Sequence, residues 1–154
     1  MKTKIKLSDN IKNIVNKLIY MSLILWMIVI FCFSHQPVNE SSRLSGSISK
    51  PIAEKLESII KIDVDEEIFD HMIRKFSHFM EYMILGILMY LASVKSNIPK
   101  NNKLLCCILL CALYAVTDEV HQAFVPGRGP KVFDVIIDTI GSISGILMIK
   151  LKMK

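Results

Sequence analysis

Two histidine–carboxylate pairs stand at helical spacing in this sequence. His78 precedes Glu81 by three positions, and Asp118 precedes His121 by three positions, so each pair shares one face if its segment is helical. An imidazole oriented by a carboxylate is the arrangement that general acid–base catalysis uses. The candidate catalytic residues are therefore His78, Glu81, Asp118 and His121.

Basic residues close to these pairs are suited to hold an anionic group. Lys75 lies three positions before His78, and Arg128 lies in the tight turn Pro126–Pro130 after the second pair. An arginine binds phosphate through two parallel hydrogen bonds, and a lysine acts as a point charge. The sequence has no serine or cysteine nucleophile motif, which favours a nucleophilic histidine or an activated water. Hydrolysis of a phosphoester or transfer of a head group fits this set.

A divalent metal is an alternative that the same polar residues leave open. Di-metal helix bundles use Glu-x-x-His pairs, whereas here the pairs read His-x-x-Glu and Asp-x-x-His, and there is no His-Glu-x-x-His motif. We therefore do not favour a metal, and we assign no residue to one. The ligands available to it would be His78, Glu81, Asp118, His121, Asp134 and Asp138.

The elements that must position these residues are apolar helices. The chain is 52% hydrophobic, which excludes a disordered protein. The segment Leu18–Asn39 contains no Asp, Glu, Lys or Arg, and its apolar core approaches the roughly 20 residues that cross a bilayer. A secretory signal peptide is the alternative, but no small-residue cleavage site follows Phe33.

Three later segments reach spanning length only when they are extended through acidic residues. None of them has the wide polar face of a surface helix, so we favour membrane spans over a small soluble bundle. The prediction is an all-α, polytopic membrane protein: a four-transmembrane-helix bundle that forms a single domain over residues 1–154. The predicted spans are about 15–34, 74–94, 104–124 and 132–150.

The long outer loop 35–73 between the first two spans has its own pattern. Ser41–Ser49 is predicted to be a polar linker. From Pro51 onward, apolar residues at helical spacing predict an amphipathic helix on the outer surface. The acidic run Asp63–Glu66 is typical of a helix start, so the second spanning helix is expected to begin there.

The net charge of +5 is divided unevenly along the chain. The predicted inner segments carry +10, the outer segments 0 and the spans −5. This excess of basic residues on one side predicts a cell-membrane protein with both termini in the cytoplasm. It also argues against a nucleic-acid-binding face, because the basic residues are explained by topology.

Ionisable residues of the spans fall in the outer leaflet alone. Each costs about 2.5 to 3.5 kcal/mol in a membrane and usually faces the bundle interior or a wet cavity. A structural ion-pair network is one explanation, but clustering in one leaflet favours a functional cavity that opens outward. In the last span, Gly141 and Gly145 predict close helix packing, either within the chain or in an oligomer.

The combination of these motifs resembles the VanZ-like family. Lys75-x-x-His78-Phe79-x-Glu81-Tyr82-x-x-Leu85-Gly86 resembles the family's second-helix motif, and Phe33-Ser34-His35-Gln36 the end of its first helix. Asp118-Glu119-x-His121-Gln122-x-Phe124-x-Pro126-Gly127-Arg128 resembles the third helix and loop. Asp134-Val135-x-x-Asp138-Thr139-x-Gly141-x-x-x-Gly145 resembles the last helix. The resemblance covers roughly residues 33–145, although Gly129-Pro130-Lys131 is atypical.

The resemblance implies a small four-helix protein of the cell envelope, in a family whose founding member is associated with teicoplanin resistance. It implies a membrane enzyme acting on lipid head groups or lipid-linked glycans, and its partners would be membrane lipids or lipid-linked envelope precursors. A non-enzymatic binder or shield that limits the access of glycopeptides to their target is the alternative. The residues expected to bind substrate are Lys75, Tyr82, Glu119, Gln122, Arg128, Asp134 and Asp138.

Overall fold

The computed structural model describes residues 2–61 and 65–153, and its secondary structure there is entirely helical. The five helices are α1 (Lys2–Ser34), α2 (Val38–Ile60), α3 (Glu66–Val94), α4 (Lys100–Gln122) and α5 (Val132–Lys152).

Four of these helices are long and apolar enough to cross a membrane. They are α1 from Asn10 onward, α3, α4 and α5, which confirms the predicted all-α bundle with four spans. Their apolar side chains cover the outside of the bundle: Leu25 in α1 and Leu113 in α4 are 62% and 61% exposed. Such a surface suits a lipid environment, since a soluble protein rarely exposes so much apolar area.

The spanning helices alternate in direction, so α3 and α5 run parallel to each other and opposite to α1 and α4. The ends of α1 and α4 therefore meet the starts of α3 and α5, and we call this region the ionisable end.

Hydrogen bonds from two tyrosines and one tryptophan connect α1 to its neighbours. Tyr20 Oη donates to the Ala92 carbonyl (3.1 Å), Trp26 Nε1 to the Glu81 carbonyl (2.9 Å), and Tyr114 Oη to the Met27 carbonyl (2.6 Å).

Glycines allow α3 and α5 to approach closely. A Cβ atom at Gly141 would overlap the backbone carbonyl of Phe79, one at Gly145 that of Met83, and one at Gly86 that of Ser142. The predicted small-residue packing is thus confirmed, and it lies within the chain. Gly141 and Gly145 are both buried, so neither is open to a second chain.

Asp65 begins α3 as the acidic run predicted. Its carboxylate accepts from the backbone N–H groups of Glu67 (3.0 Å) and Ile68 (3.1 Å), which satisfies two of the free donors of the first turn. Asp63 and Val64, which belong to the same predicted start, lie outside the described residues.

The prediction of a polar linker over Ser41–Ser49 is wrong, because this segment is the first half of α2. Its serine hydroxyls donate back to carbonyls of the same helix, as Ser45 Oγ does to Ser41 (3.1 Å) and Ser47 Oγ to Leu44 (2.7 Å), and so they are compatible with helix. The amphipathic helix predicted after Pro51 therefore exists but begins at Val38, with Pro51 inside it.

Candidate functional site

A cavity of about 510 Å³ opens at the ionisable end of the bundle. Its wall is built from the end of α1, the first half of α2, the first half of α3, the end of α4, the loop into α5 and the first turn of α5. Seven of the eleven predicted site residues line it, namely Lys75, His78, Glu81, Asp118, Gln122, Arg128 and Asp134.

His78 is backed by a carboxylate that sequence reasoning had not paired with it. Its Nδ1 lies 3.6 Å from Oδ1 of Asp138, whose side chain is fully buried. His78 Nδ1 and both carboxylate oxygens of Asp138 are buried and form no hydrogen bond among the described residues. Since Nδ1 faces Asp138, the opposite nitrogen Nε2 is the one that can reach a molecule in the cavity. Asp138 is therefore placed to orient the ring rather than to touch a ligand.

Glu81 lines the same cavity as His78. The Trp26 indole donates to the backbone carbonyl of Glu81, which fixes this turn of α3 against α1. The sequence paired Glu81 with His78. In the structure both side chains line one cavity, but the carboxylate next to the His78 imidazole is that of Asp138.

Lys75 forms an ion pair with Asp134, and both side chains are largely buried. The ammonium group also lies 6.0 Å from the centre of the Phe133 ring, within range of a cation–π contact. Because Asp134 neutralises it, Lys75 contributes less positive charge to the cavity than the sequence suggested.

Arg74 also lines the cavity, although it was not among the predicted site residues. It lies 3.6 Å from the Asp70 carboxylate and donates to Ser42 Oγ (2.9 Å). Ser49 Oγ donates in turn to Asp70 (3.1 Å). This group of side chains fastens α2 over the start of α3 and so completes one wall of the cavity.

The remaining cations of the wall are Arg128 and Lys131. Neither side chain forms an ion pair with any residue that the structure describes. Arg128 is half-buried, and burial lowers the pKa of its guanidinium, while the carboxylate of Asp118 acts in the opposite direction. An arginine has so high a pKa that it stays charged at neutral pH, so both groups are available to an anion.

Asp118 and Gln122 face the cavity from the end of α4. Gln122 Nε2 donates to Asp118 Oδ2 (3.1 Å), and each side chain is almost completely buried. This bond holds Asp118 in the cavity wall, where it is a second carboxylate beside Glu81.

Four predicted site residues do not line the cavity. His121 turns toward α1, where its Nε2 lies 3.1 Å from His35 Nδ1. Glu119 is buried and accepts from the Lys131 backbone N–H (2.6 Å), so it shapes the loop into α5. Tyr82 is completely buried, and Asp138 lies behind His78. The predicted pairing of Asp118 with His121 is therefore not the arrangement that the structure adopts.

Sequence reasoning missed the contribution of α2. Ser41, Leu44, Ser45 and Ile48 line the cavity, but the serines favoured a linker. The sequence does contain a signal for helix in this segment. Leu44 and Ile48 extend the apolar stripe of the predicted helix, at intervals of four residues.

The six side chains considered as metal ligands do not meet at one point. Among the residues that the structure describes, no three His, Cys, Asp or Glu side chains are grouped so as to hold one metal ion. Four of the six line the cavity, Asp138 lies behind His78, and His121 contacts His35.

A family model matches residues 19–153, which is nearly the whole chain, and its description is VanZ/LLP1. The chain belongs to the VanZ/LLP1 family. Comparisons with curated proteins and with solved structures give no match. The VanZ/LLP1 match includes the whole cavity wall, and with the four candidate spans it establishes a multi-pass membrane protein.

Proposed function

We propose that this VanZ/LLP1 protein binds the anionic head group of a lipid or lipid-linked envelope precursor in its cavity and catalyses hydrolysis or transfer of a phosphate ester there. The observation that carries the proposal is the position of His78, which lines the cavity and has the buried carboxylate of Asp138 behind it.

The charges of the wall favour an anionic ligand. Arg128 and Lys131 have no ion pair among the described residues, whereas Arg74 and Lys75 are engaged by Asp70 and Asp134. A phosphate that entered would meet the free guanidinium and ammonium groups first. Such charge-assisted hydrogen bonds are roughly twice as strong as hydrogen bonds between neutral groups.

The apolar part of the wall favours an amphiphile over a free phosphate. Ile30, Phe33, Leu44, Ile48 and Ile73 line the cavity beside the charged groups. The cavity also lies at the end of a bundle whose outer surface is apolar. A lipid can therefore leave its chains in the bilayer while its head group enters the cavity.

His78 and the two carboxylates of the wall supply the acid–base chemistry. In hydrolysis, the oxygen of a water molecule forms a new bond to phosphorus and His78 Nε2 takes the proton. The bond from phosphorus to the leaving oxygen breaks, and that oxygen receives a proton from Glu81 or Asp118. In transfer, an acceptor hydroxyl takes the place of the water. Asp138 stabilises the imidazolium that forms.

We place the ionisable end at the outer face of the cell membrane, with both termini in the cytoplasm. The support is the distribution of lysine: Lys95, Lys100 and Lys103 connect α3 to α4 at the opposite end, and Lys150 and Lys152 end α5 there. At the outer face, modification of lipid-linked precursors would alter the target of glycopeptides such as teicoplanin, which links the site to resistance.

The proposal is tested by turnover with the purified protein in lipid nanodiscs. Wild type is expected to release phosphate or a phosphorylated head group from a polyprenyl diphosphate or an anionic phospholipid. His78→Asn should lower the rate about 100-fold or more, since general acid–base catalysis contributes at least that much. Ser144→Ala is the matched control, because the Ser144 hydroxyl bonds to the Ile140 carbonyl of its own helix and the residue does not line the cavity. Equal rates in wild type and His78→Asn would contradict the assignment.

A non-enzymatic binder is the second candidate. Arg128 and Lys131, which form no ion pair within the described part of the chain, favour it because they suffice to hold an anion. This function needs no proton transfer. If wild type binds anionic lipid without turnover, and Glu81→Gln leaves both binding and glycopeptide resistance intact, the binder is correct and the enzyme is not.

A further inference from the structure

One side of the cavity wall is apolar and takes no part in the proposed acid–base chemistry. Its residues come from three helices: Ile30 and Phe33 of α1, Leu44 and Ile48 of α2, and Ile73 of α3. We call this surface the apolar trough. Ile73 lies about 140° around α3 from His78, so the trough and the imidazole occupy different sides of the cavity.

The apolar trough leads from the interior of the bundle to its outside. Ile30 is 1% exposed, whereas Phe33, Leu44 and Ile48 are 46%, 51% and 56% exposed. All four nevertheless line the same cavity. The cavity therefore opens outward past large apolar side chains, and not only past its charged groups.

The opening lies between two helices that do not close on each other. Both α1 and α2 pack against α3, but they have scarcely any contact with each other. The Trp26 indole connects α1 to the Glu81 carbonyl of α3 (2.9 Å), and Arg74 of α3 donates to Ser42 of α2 (2.9 Å). The space between α1 and α2 is therefore left open beside these attachments.

Serines beside the apolar trough are already hydrogen-bonded within their own helices. Ser45 Oγ donates to the Ser41 carbonyl (3.1 Å), and Ser77 Oγ donates to the Ile73 carbonyl (3.0 Å). They need no hydrogen bond from a ligand. Such a lining suits a hydrocarbon chain better than a sugar or a peptide, whose polar groups would lose their hydrogen bonds to water there.

We propose that the apolar trough binds a hydrocarbon chain of the membrane lipid whose head group enters the cavity. The inference rests on the proposed function, because an anion held by Arg128 and Lys131 sets the point where the chain begins. The half-exposed side chains of the trough continue the apolar outer surface of the bundle. The lipid therefore enters sideways from the bilayer, and its chain stays in contact with apolar groups along the way.

The test is photo-cross-linking in phosphatidylcholine nanodiscs that contain a small fraction of phosphatidic acid with a diazirine in one acyl chain. Mass spectrometry of the digested protein locates the cross-links, which in wild type should concentrate in the residues of the apolar trough. Ile48→Gln should lower these cross-links about tenfold, because the chain would cover an amide that has no hydrogen-bond partner.

Ile59→Gln is the matched control, because Ile59 is an exposed isoleucine of the same helix that does not line the cavity. It should be cross-linked as wild type is, and far-ultraviolet circular dichroism shows that both variants are folded. The proposal is overturned if cross-links in wild type are spread evenly over the apolar outer faces of the bundle. It is also overturned if the two variants have the same effect.

Phosphatidylcholine with the same diazirine chain separates this proposal from the proposed function. If both labelled lipids react equally with the apolar trough, the trough binds a chain but the preference for an anionic head group is wrong. If the protein retains phosphatidic acid in preference to phosphatidylcholine and the cross-links fall outside the trough, the head-group site stands and the trough proposal is wrong.

Discussion

At the ionisable end, α3 and α5 face each other through Lys75, His78, Asp134 and Asp138, whereas further along the same two helices meet through glycines. The glycine region brings backbones into contact and buries no charge. The ionisable region holds a completely buried carboxylate with two oxygens that lack hydrogen bonds among the described residues. Native structures rarely leave buried polar groups unpaired. The ionisable region is therefore the candidate functional part of this helix–helix interface, and the glycine region is its packing part.

The largest effect is expected from filling the glycine region. Gly141→Leu would press a branched side chain into the Phe79 carbonyl, and overpacking of this kind costs about 3 kcal/mol. We expect loss of folded protein, measured by denaturant unfolding in detergent. Gly46→Ala is the matched control, since no atom lies within 4 Å of the added methyl group. It should stabilise the protein by about 0.5 kcal/mol, and an equal loss in both variants would contradict this account of α3–α5 packing.

Breaking the ion pair between Lys75 and Asp134 should lower the free energy of unfolding less than Gly141→Leu does. Lys75→Met leaves the buried Asp134 carboxylate without its partner, a change worth about 3 kcal/mol for a fully buried pair. Because the Lys75 side chain keeps 18% of its exposure, we expect about 2 kcal/mol. The double variant Lys75→Met with Asp134→Leu should recover most of that loss in the same unfolding assay. If the two losses simply add, the ion pair does not have the assigned role.

Asp138→Asn should act in opposite directions on stability and activity. Replacing a buried carboxylate whose oxygens form no hydrogen bond among the described residues is expected to raise the free energy of unfolding by about 1 kcal/mol, as at other functional sites. Turnover should fall about 100-fold because the imidazolium of His78 loses its stabilising charge. Unfolding and head-group release are measured on one preparation. A variant that is less stable but fully active would show that Asp138 is a structural residue.

The smallest effect concerns the attachment of α2. Ser42→Ala removes the acceptor of the Arg74 hydrogen bond. At a partly exposed site we expect this bond to a charged group to contribute about 1.5 kcal/mol, the low end of its usual range. The loss of this bond should appear as faster amide hydrogen exchange in α2. Ser58→Ala is the control, because the exposed Ser58 hydroxyl bonds within α2 itself. Equal exchange in the two variants would mean that Arg74 does not hold α2 against α3.

The parts of the molecule that follow from local pattern were predictable. The charge-free run after Leu18 predicts α1, Asp65 predicts the start of α3, and Gly141 with Gly145 predicts close packing. All three signals come from residues near each other in sequence. They work because hydropathy, capping and side-chain size act within one helix.

The parts that depend on which helices meet were not predictable. Residues three apart point about 60° from each other around a helix, so Asp118 can face the cavity while His121 faces α1. The carboxylate behind His78 comes from α5 rather than from its own helix. The serines of α2 predicted a linker, because serine hydroxyls can bond to nearby backbone groups in place of helical hydrogen bonds. In the folded chain this segment is helical, and its apolar stripe contributes to the cavity wall.

The central claim is that the cavity holds an anionic lipid head group, and native mass spectrometry of protein released from mixed-lipid nanodiscs tests it most directly. Wild type should retain anionic phospholipid or polyprenyl phosphate in preference to phosphatidylcholine. The double variant Arg128→Gln with Lys131→Gln should lose that preference while it remains folded. Retention of anionic and zwitterionic lipid in equal amounts by wild type, or an unchanged preference in the double variant, would contradict the account.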